Sequence, residues 1–159
     1  MNSNTHTYSI FLRKASIPML QKQTHSFITD FFLCGLCGWC MECFWTGMDS
    51  IRQKQDKTLL CHTSIWMFPI YGLAAFFSPL IHLIKKFAMP IRGAIYAICI
   101  FTAEFLTGSL LKKCNACPWD YSKAKLNYKG LIRFDYAPAW AVAGLIFEKL
   151  LTSNHKTLN

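Results

Sequence analysis

Acidic side chains are scarce in this sequence. Eight Asp and Glu stand against seventeen Lys and Arg, for a formal net charge of +9. Charged residues make up only 16% of the chain, while apolar residues make up 53%. A chain with so few charges lacks the polar surface that long apolar runs need if they are to be covered in water. The charge surplus alone would suit a nucleic acid. Here the basic residues fall between apolar runs, so the expected partner is a lipid bilayer with anionic headgroups and no nucleic acid. Other patterns are missing too. No repeat of 20–50 residues and no low-complexity tract is present, and the first 26 residues hold no continuous apolar run of a secretory leader. There is no G-x-x-x-x-G-K-[ST], so the chain carries no ATPase motif of its own, and no H-E-x-x-H or nucleophile–His–acid set.

What the sequence does have is four apolar runs of helix length, at about residues 27–45, 63–84, 91–111 and 134–151. A bilayer core of roughly 30 Å needs about 20 apolar helical residues. The runs therefore predict an all-α integral membrane protein: a bundle of about four transmembrane helices, with an interfacial loop or short helix between the third and fourth. The second run contains Pro69 and Pro79, which membrane helices tolerate where neighbours satisfy the freed carbonyls. The fourth is the shortest and ends on Glu148 and Lys149. Residues 1–26 read as a polar tail or a short surface helix, and 152–159 as a C-terminal tail. With four spans, eight Lys and Arg fall on one side and nine on the other, so the positive-inside rule assigns no orientation.

The glutamates stand out. All three, Glu42, Glu104 and Glu148, fall in predicted spans. At helical spacing Glu42 shares a face with Gly35 and Gly38, Glu104 with Ala97 and Gly108, and Glu148 with Ala137, Ala141 and Gly144. Small residues let membrane helices approach closely, so these acids are expected to face helix contacts rather than lipid. A carboxylate at depth costs several kcal/mol unless paired, protonated or hydrated. Two readings follow: a polar pathway through the bundle, or structural charge pairs near span ends. The second suits Glu148 best. Arg92, Arg133, His62 and His82 are the candidate partners.

Cys34, Cys37, Cys40 and Cys43 form a ladder with three-residue steps. Each step turns a helix position by about 300°, so the four sulfurs spread over half the circumference and do not converge on a metal. Cys114 and Cys117 lie in a loop, where they suit either a metal or a disulfide. No metal or cofactor is expected overall. The same loop carries Trp119-Asp120-Tyr121, two interfacial aromatics around an acid. It is either a membrane anchor or an element that closes one end of the bundle. Asn127-Tyr128-Lys129-Gly130 reads as a turn.

A set of motifs occurs in order: Gly38-Trp39-x-x-Glu42, Phe68-Pro69-Ile70-Tyr71-Gly72, Glu104-Phe105-x-Thr107-Gly108, Cys117-Pro118-Trp119-Asp120-Tyr121-Ser122, Gly130-Leu131-Ile132 and Asp135-Tyr136-Ala137-x-x-Trp140. Together they resemble the bacterial family described as putative ABC-transporter type IV, or CmpB-like, and the vertebrate transmembrane protein 229 family. The resemblance covers roughly residues 30–150. It implies a multi-pass membrane protein, in the cell membrane if bacterial, acting as a permease-like subunit. Four short spans are few for a complete pathway, so such a subunit is expected to need a second copy in a homodimer or another partner, and a separate ATPase. By resemblance Glu42, Glu104, Trp119, Asp120 and Tyr121 are the pathway candidates, and Arg133 joins them. Gly35, Gly38, Gly108, Ala141 and Gly144 are the packing candidates. The alternatives are a small membrane enzyme acting on lipid, with Glu42, Glu104 and Asp120 as acid–base groups, or a scaffold with no chemistry.

Overall fold

The computed structural model describes the backbone of residues 4–54 and 57–157, and the side chains of residues 27–52 and 57–156. The side chains of the tail or surface helix expected at 1–26 lie outside the described residues. Helix α1 runs Asn4–Lys54. The second apolar run folds as α2 (Met67–Gly72), a 3-10 turn (Leu73–Phe76) and α3 (Phe77–Ile84). Helix α4 is Met89–Lys113. A small antiparallel hairpin follows, β1 (Asn127–Tyr128) and β2 (Ile132–Arg133), with Asn127 opposite Arg133 and Tyr128 opposite Ile132. A 3-10 turn, Phe134–Tyr136, leads into α5, Ala137–Thr157.

Three stretches are long and apolar enough to cross a membrane: Phe27–Arg52, Met67–Ile84 and Met89–Lys113. The 21 residues of α5 span about 31 Å at 1.5 Å per residue. This length is within the range of the three apolar stretches, but α5 is not among them. Helix α1 packs mainly on α2, and α4 mainly on α5. Helix α5 also touches α1, α3 and the 3-10 turn before α3. The bundle is thus two helix pairs joined along one seam, and α5 lies on that seam.

The prolines of the second run explain its shape. Pro69 is the third residue of α2 and Pro79 the third of α3. The first turn of a helix has amide groups with no intrahelical acceptor, so a residue lacking N–H costs little there. The run therefore restarts its helix at each proline, with the 3-10 turn between. Pro90 opens α4 in the same manner.

Close packing holds the pairs together. In a bilayer, helix association depends on packing and polar contacts rather than on escape from water. Tyr96, Phe147, Leu151 and Cys34 are among the most buried side chains and belong to one core with Phe77 and Ile84. Phe77 and Tyr96 rings stack at 4.9 Å between α3 and α4. A Cβ on Gly144 would overlap Tyr96, and one on Gly38 would overlap Tyr71. Ala141 meets Gly93, and Gly35 lies under Phe68.

Candidate functional site

Polar side chains gather on the seam at two levels. One level lies at the end where α1 has Asp30 and α5 finishes. Asp30 is only 2% exposed. Its Oδ1 accepts from Asn154 Nδ2 at 2.8 Å, and its Oδ2 accepts from Ser78 Oγ at 3.2 Å. His155 Nε2 lies 2.7 Å from Oδ2. One carboxylate thereby ties α1, α3 and α5 together. Nearby on the second pair, Arg92 Nε lies 3.2 Å from Glu148 Oε2, with the Tyr96 hydroxyl beside it. Glu148 thus pairs with Arg92 across α4 and α5, as a structural charge pair.

The other level lies at the loop end and contains the remaining glutamates. Glu42 comes from α1 and Glu104 from α4, one from each helix pair. Glu104 is 8% exposed and Glu42 is half-buried. The polar neighbours of Glu104 are Trp140 of α5 and Tyr121 of the loop. Those of Glu42 are Tyr71 of α2 and Thr63. Tyr71 feels the charge of both glutamates, and so does Tyr121. Both acids thus lie near the same two phenols, Tyr71 and Tyr121. Glu42 Oε2, Glu104 Oε2 and Trp140 Nε1 are buried without an aligned hydrogen bond. Among the described residues neither glutamate has an Arg, Lys or His ion partner.

Aromatic rings line this level. Tyr121 and Tyr136 centroids lie 5.8 Å apart, Tyr136 and Trp140 6.4 Å, and Trp45 and Tyr136 5.6 Å. The loop seats Tyr121 through its own hydrogen bonds. The Tyr121 amide donates to Gly130 O at 2.9 Å, and Gly130 N donates to Asn127 Oδ1 at 3.0 Å. Gly130 has φ +69°, where L side chains are strained, and a Cβ there would meet Asp120 and Ser122. Burial holds the Tyr121 phenol above its ordinary value, so it remains a hydroxyl donor at neutral pH.

The other sequence candidates lie around this centre. Trp119 packs its ring on Gly108 and donates Nε1 to Leu131 O at 3.1 Å, fastening the loop onto α4. Asp120 faces outward. Its carboxylate accepts from the Ser122 hydroxyl and from the Ser122 amide at 3.0 Å, and these bonds hold it below the ordinary carboxylate range. Arg133 does not reach the glutamates. Its Nη2 lies 2.7 Å from Asp135 Oδ2 and its Nε 2.8 Å from Asp135 Oδ1. Its guanidinium also sits 4.3 Å from the Tyr136 ring centre and donates to the Tyr136 hydroxyl. His62 donates its amide to Thr46 Oγ1, and His82 is exposed. In the cysteine ladder Cys34 is buried, Cys40 exposed and the others intermediate. Cys117 Sγ donates to Trp119 O.

Residue types and helical spacing pointed to Glu42, Glu104 and Tyr121. They did not single out Tyr71, Trp140, Asp30, Ser78, Asn154 or His155 as site residues. Tyr71 and Trp140 lie in the Phe68–Gly72 and Asp135–Trp140 motifs, where an aromatic ring by itself points to packing. Asp30 finds its α5 partners more than 120 residues along the chain, and no local pattern announces that.

The motifs quoted above converge in space. Glu42, Tyr71, Glu104, Tyr121, Tyr136 and Trp140 come from five separate stretches and meet at one level of the seam. No solved structure matches the chain. A family model does match it over residues 29–158, nearly the whole of the described helical domain. The chain belongs to the membrane-protein family described as putative ABC-transporter type IV.

Proposed function

We propose that the chain is the membrane-embedded, permease-like subunit of an ABC-type transporter, with its solute path along the seam between the two helix pairs. One observation carries this reading. Glu42 and Glu104, from opposite pairs, turn buried carboxylate oxygens toward a shared interior and have no ion partner among the described residues. A purely structural acid is expected to be paired, as Asp30 is, or kept neutral, because an unpaired buried charge costs several kcal/mol. Intramembrane acids that face a bundle interior mark solute or proton routes.

The seam also offers a means of movement. Helix α5 contacts both pairs, and the Asp30 cluster joins them at one end while the loop covers the other. Rocking of one pair against the other would open one end at a time. The chain crosses the membrane several times in this reading. A second copy or another subunit completes the pathway, and a separate ATPase supplies the energy. The lysine-bearing loop between α4 and α5 is the docking candidate.

Chemical crosslinking in native membranes, followed by purification, tests this. An ATPase should be captured with the chain. Glu104→Gln should leave that capture and the chain's monodispersity intact while lowering transport-coupled ATP hydrolysis by at least about tenfold, the equivalent of about 1.4 kcal/mol of barrier. A chain that is purified alone after crosslinking, or a Glu104→Gln variant that hydrolyses as the parent does, would overturn the proposal.

A further inference from the structure

The chemistry of the loop-end site selects a class of ligand, and the inference rests on its being a solute site as proposed above. We propose that the site between Glu42 and Glu104 takes up a small ammonium-type cation, either ammonium itself or a methylated ammonium ion.

Charge is the first reason. Glu42 and Glu104 each have one buried oxygen without an aligned hydrogen bond, and Glu104 is only 8% exposed. An ionised carboxylate there would repel an anion in a medium of low dielectric constant, and a bound cation would favour that ionised form. An uncharged apolar solute would leave both carboxylate oxygens unmet, at the cost that burying a polar group without a partner always carries. A cation gives each oxygen a partner.

The protein's own cations do not fill this role. Arg133 is the nearest candidate along the loop, but it is held by Asp135 in a paired arrangement and by the Tyr136 hydroxyl. Arg92 lies toward the other end, paired with Glu148. Among the described residues no Lys, Arg or His bonds to Glu42 or Glu104.

The walls give the second reason. Tyr71, Tyr121, Tyr136 and Trp140 line the level occupied by the glutamates. Aromatic faces attract ammonium and alkylated ammonium groups through the ring quadrupole, and Trp and Tyr do so best. The Tyr136 ring already holds the Arg133 guanidinium at 4.3 Å, which leaves the Tyr71, Tyr121 and Trp140 rings for the ligand. A hard divalent ion is a poorer fit. Calcium asks for six to eight oxygens and magnesium for a near-octahedral shell, whereas no group of three or more His, Cys, Asp or Glu able to hold a metal occurs among the described residues.

The phenols add selectivity. Tyr121 keeps its proton at neutral pH and can orient Glu104, leaving the other carboxylate oxygen for the ligand. The Trp140 indole, beside the same carboxylate, offers both an N–H group and an aromatic ring. A ligand with both charge and methyl groups would use both features.

The full chain in lipid nanodiscs tests the inference by calorimetric titration and thermal unfolding. The probes are methylammonium chloride and tetramethylammonium chloride, with sodium chloride at equal ionic strength, sodium acetate and tert-butanol as controls. At least one ammonium probe should bind saturably and raise the unfolding temperature, and none of the controls should. Glu104→Gln should weaken that binding at least tenfold, and Glu104→Asp should recover part of it. Trp140→Leu should weaken tetramethylammonium more than methylammonium, while Trp140→Phe keeps a ring and should retain binding. If Glu104→Gln loses its fold, the Trp140 pair decides. No saturable ammonium binding, an equal response to sodium or acetate, or unchanged binding in both Glu104→Gln and Trp140→Leu overturns the inference. Ammonium binding in a chain that captures no ATPase would sink the permease reading and leave this one standing. Coupled hydrolysis driven by an uncharged or anionic solute, with no ammonium binding, would do the reverse.

Discussion

Tyr71 is placed against Glu42 by a residue with no side chain. A Cβ at Gly38 would overlap the Tyr71 ring, so α1 and α2 can approach this closely only if position 38 is glycine. Gly38→Val should therefore force the helices apart and carry Tyr71 away from Glu42. Overpacking of this kind costs about 1–3 kcal/mol. Thermal unfolding in detergent should show the loss, and Gly47→Ala, where the nearest atom is the Leu59 carbonyl oxygen at 3.1 Å, should cost less. Equal stability of Gly38→Val and the parent would refute the close approach.

The loop makes its own residue-scale prediction, and its sign follows from Arg133. That guanidinium holds the Asp135 carboxyl below its ordinary 3.8. A depressed carboxyl contributes stability that is complete above the ordinary value and is lost as the pH falls through the lower folded one. Hydrogen exchange in the 127–136 segment, corrected for intrinsic rate, should stay flat from about pH 8 to about pH 5 and rise only below about pH 4. Asp135→Asn should raise it at neutral pH. A rise between about pH 7 and about pH 5 in the parent would point to another group.

At the scale of elements, the end of α5 is where structure and sequence part company. The apolar run stops near 151, but the helix continues to Thr157. It continues because its last polar residues are satisfied within the bundle, with Asn154 and His155 on Asp30. Hydropathy registers only the polarity of Thr152 to His155 and cannot distinguish a polar tail from a polar seam. Helix α1 likewise runs on to Lys54, past the apolar stretch that ends at about 45. The second run differs for another reason. Residues 63–66 precede α2, and the run is divided by prolines whose positions are legible but whose effect depends on where each turn begins. The hairpin turn was legible in Asn127-Tyr128-Lys129-Gly130, because Gly130 adopts the positive φ that such turns use.

The Asp30 cluster gives the element-scale prediction. Asp30→Ala removes the acceptor for Ser78, Asn154 and His155 together and leaves Asn154 and Ser78 part-buried without it. The loss should be about 2–4 kcal/mol, discounted from the fully buried case because His155 is partly exposed to solvent. Detergent-titrated unfolding measures it, and limited proteolysis should show the last turns of α5 released first. Asp30→Asn keeps the shape and should cost less. If the last turns of α5 stay protected in Asp30→Ala, the cluster does not anchor that helix.

At the scale of the whole molecule, the two polar levels have different characters. At the Asp30 level the carboxylate meets Ser78, Asn154 and His155 and works as a tie between helix pairs. The Glu42–Glu104 level gathers acids and aromatics with buried atoms that lack aligned partners. The sequence showed that three glutamates sat on small-residue faces. Which of them would meet was not legible, because the meeting depends on how the helix pairs dock. That docking places Glu148 on Arg92 and brings Glu42 and Glu104 to a common interior.

In this arrangement Glu42 and Glu104 are buried within the membrane, apart from the surface acids. Carboxyl modification in membranes, read residue by residue by peptide mass spectrometry, tests it most directly. An apolar, membrane-permeant carbodiimide should modify Glu104 and Glu42, while a water-soluble carbodiimide should modify Asp120 and Asp135 and spare Glu104. Modification of Glu104 by the water-soluble reagent as fast as Asp120 would contradict the account.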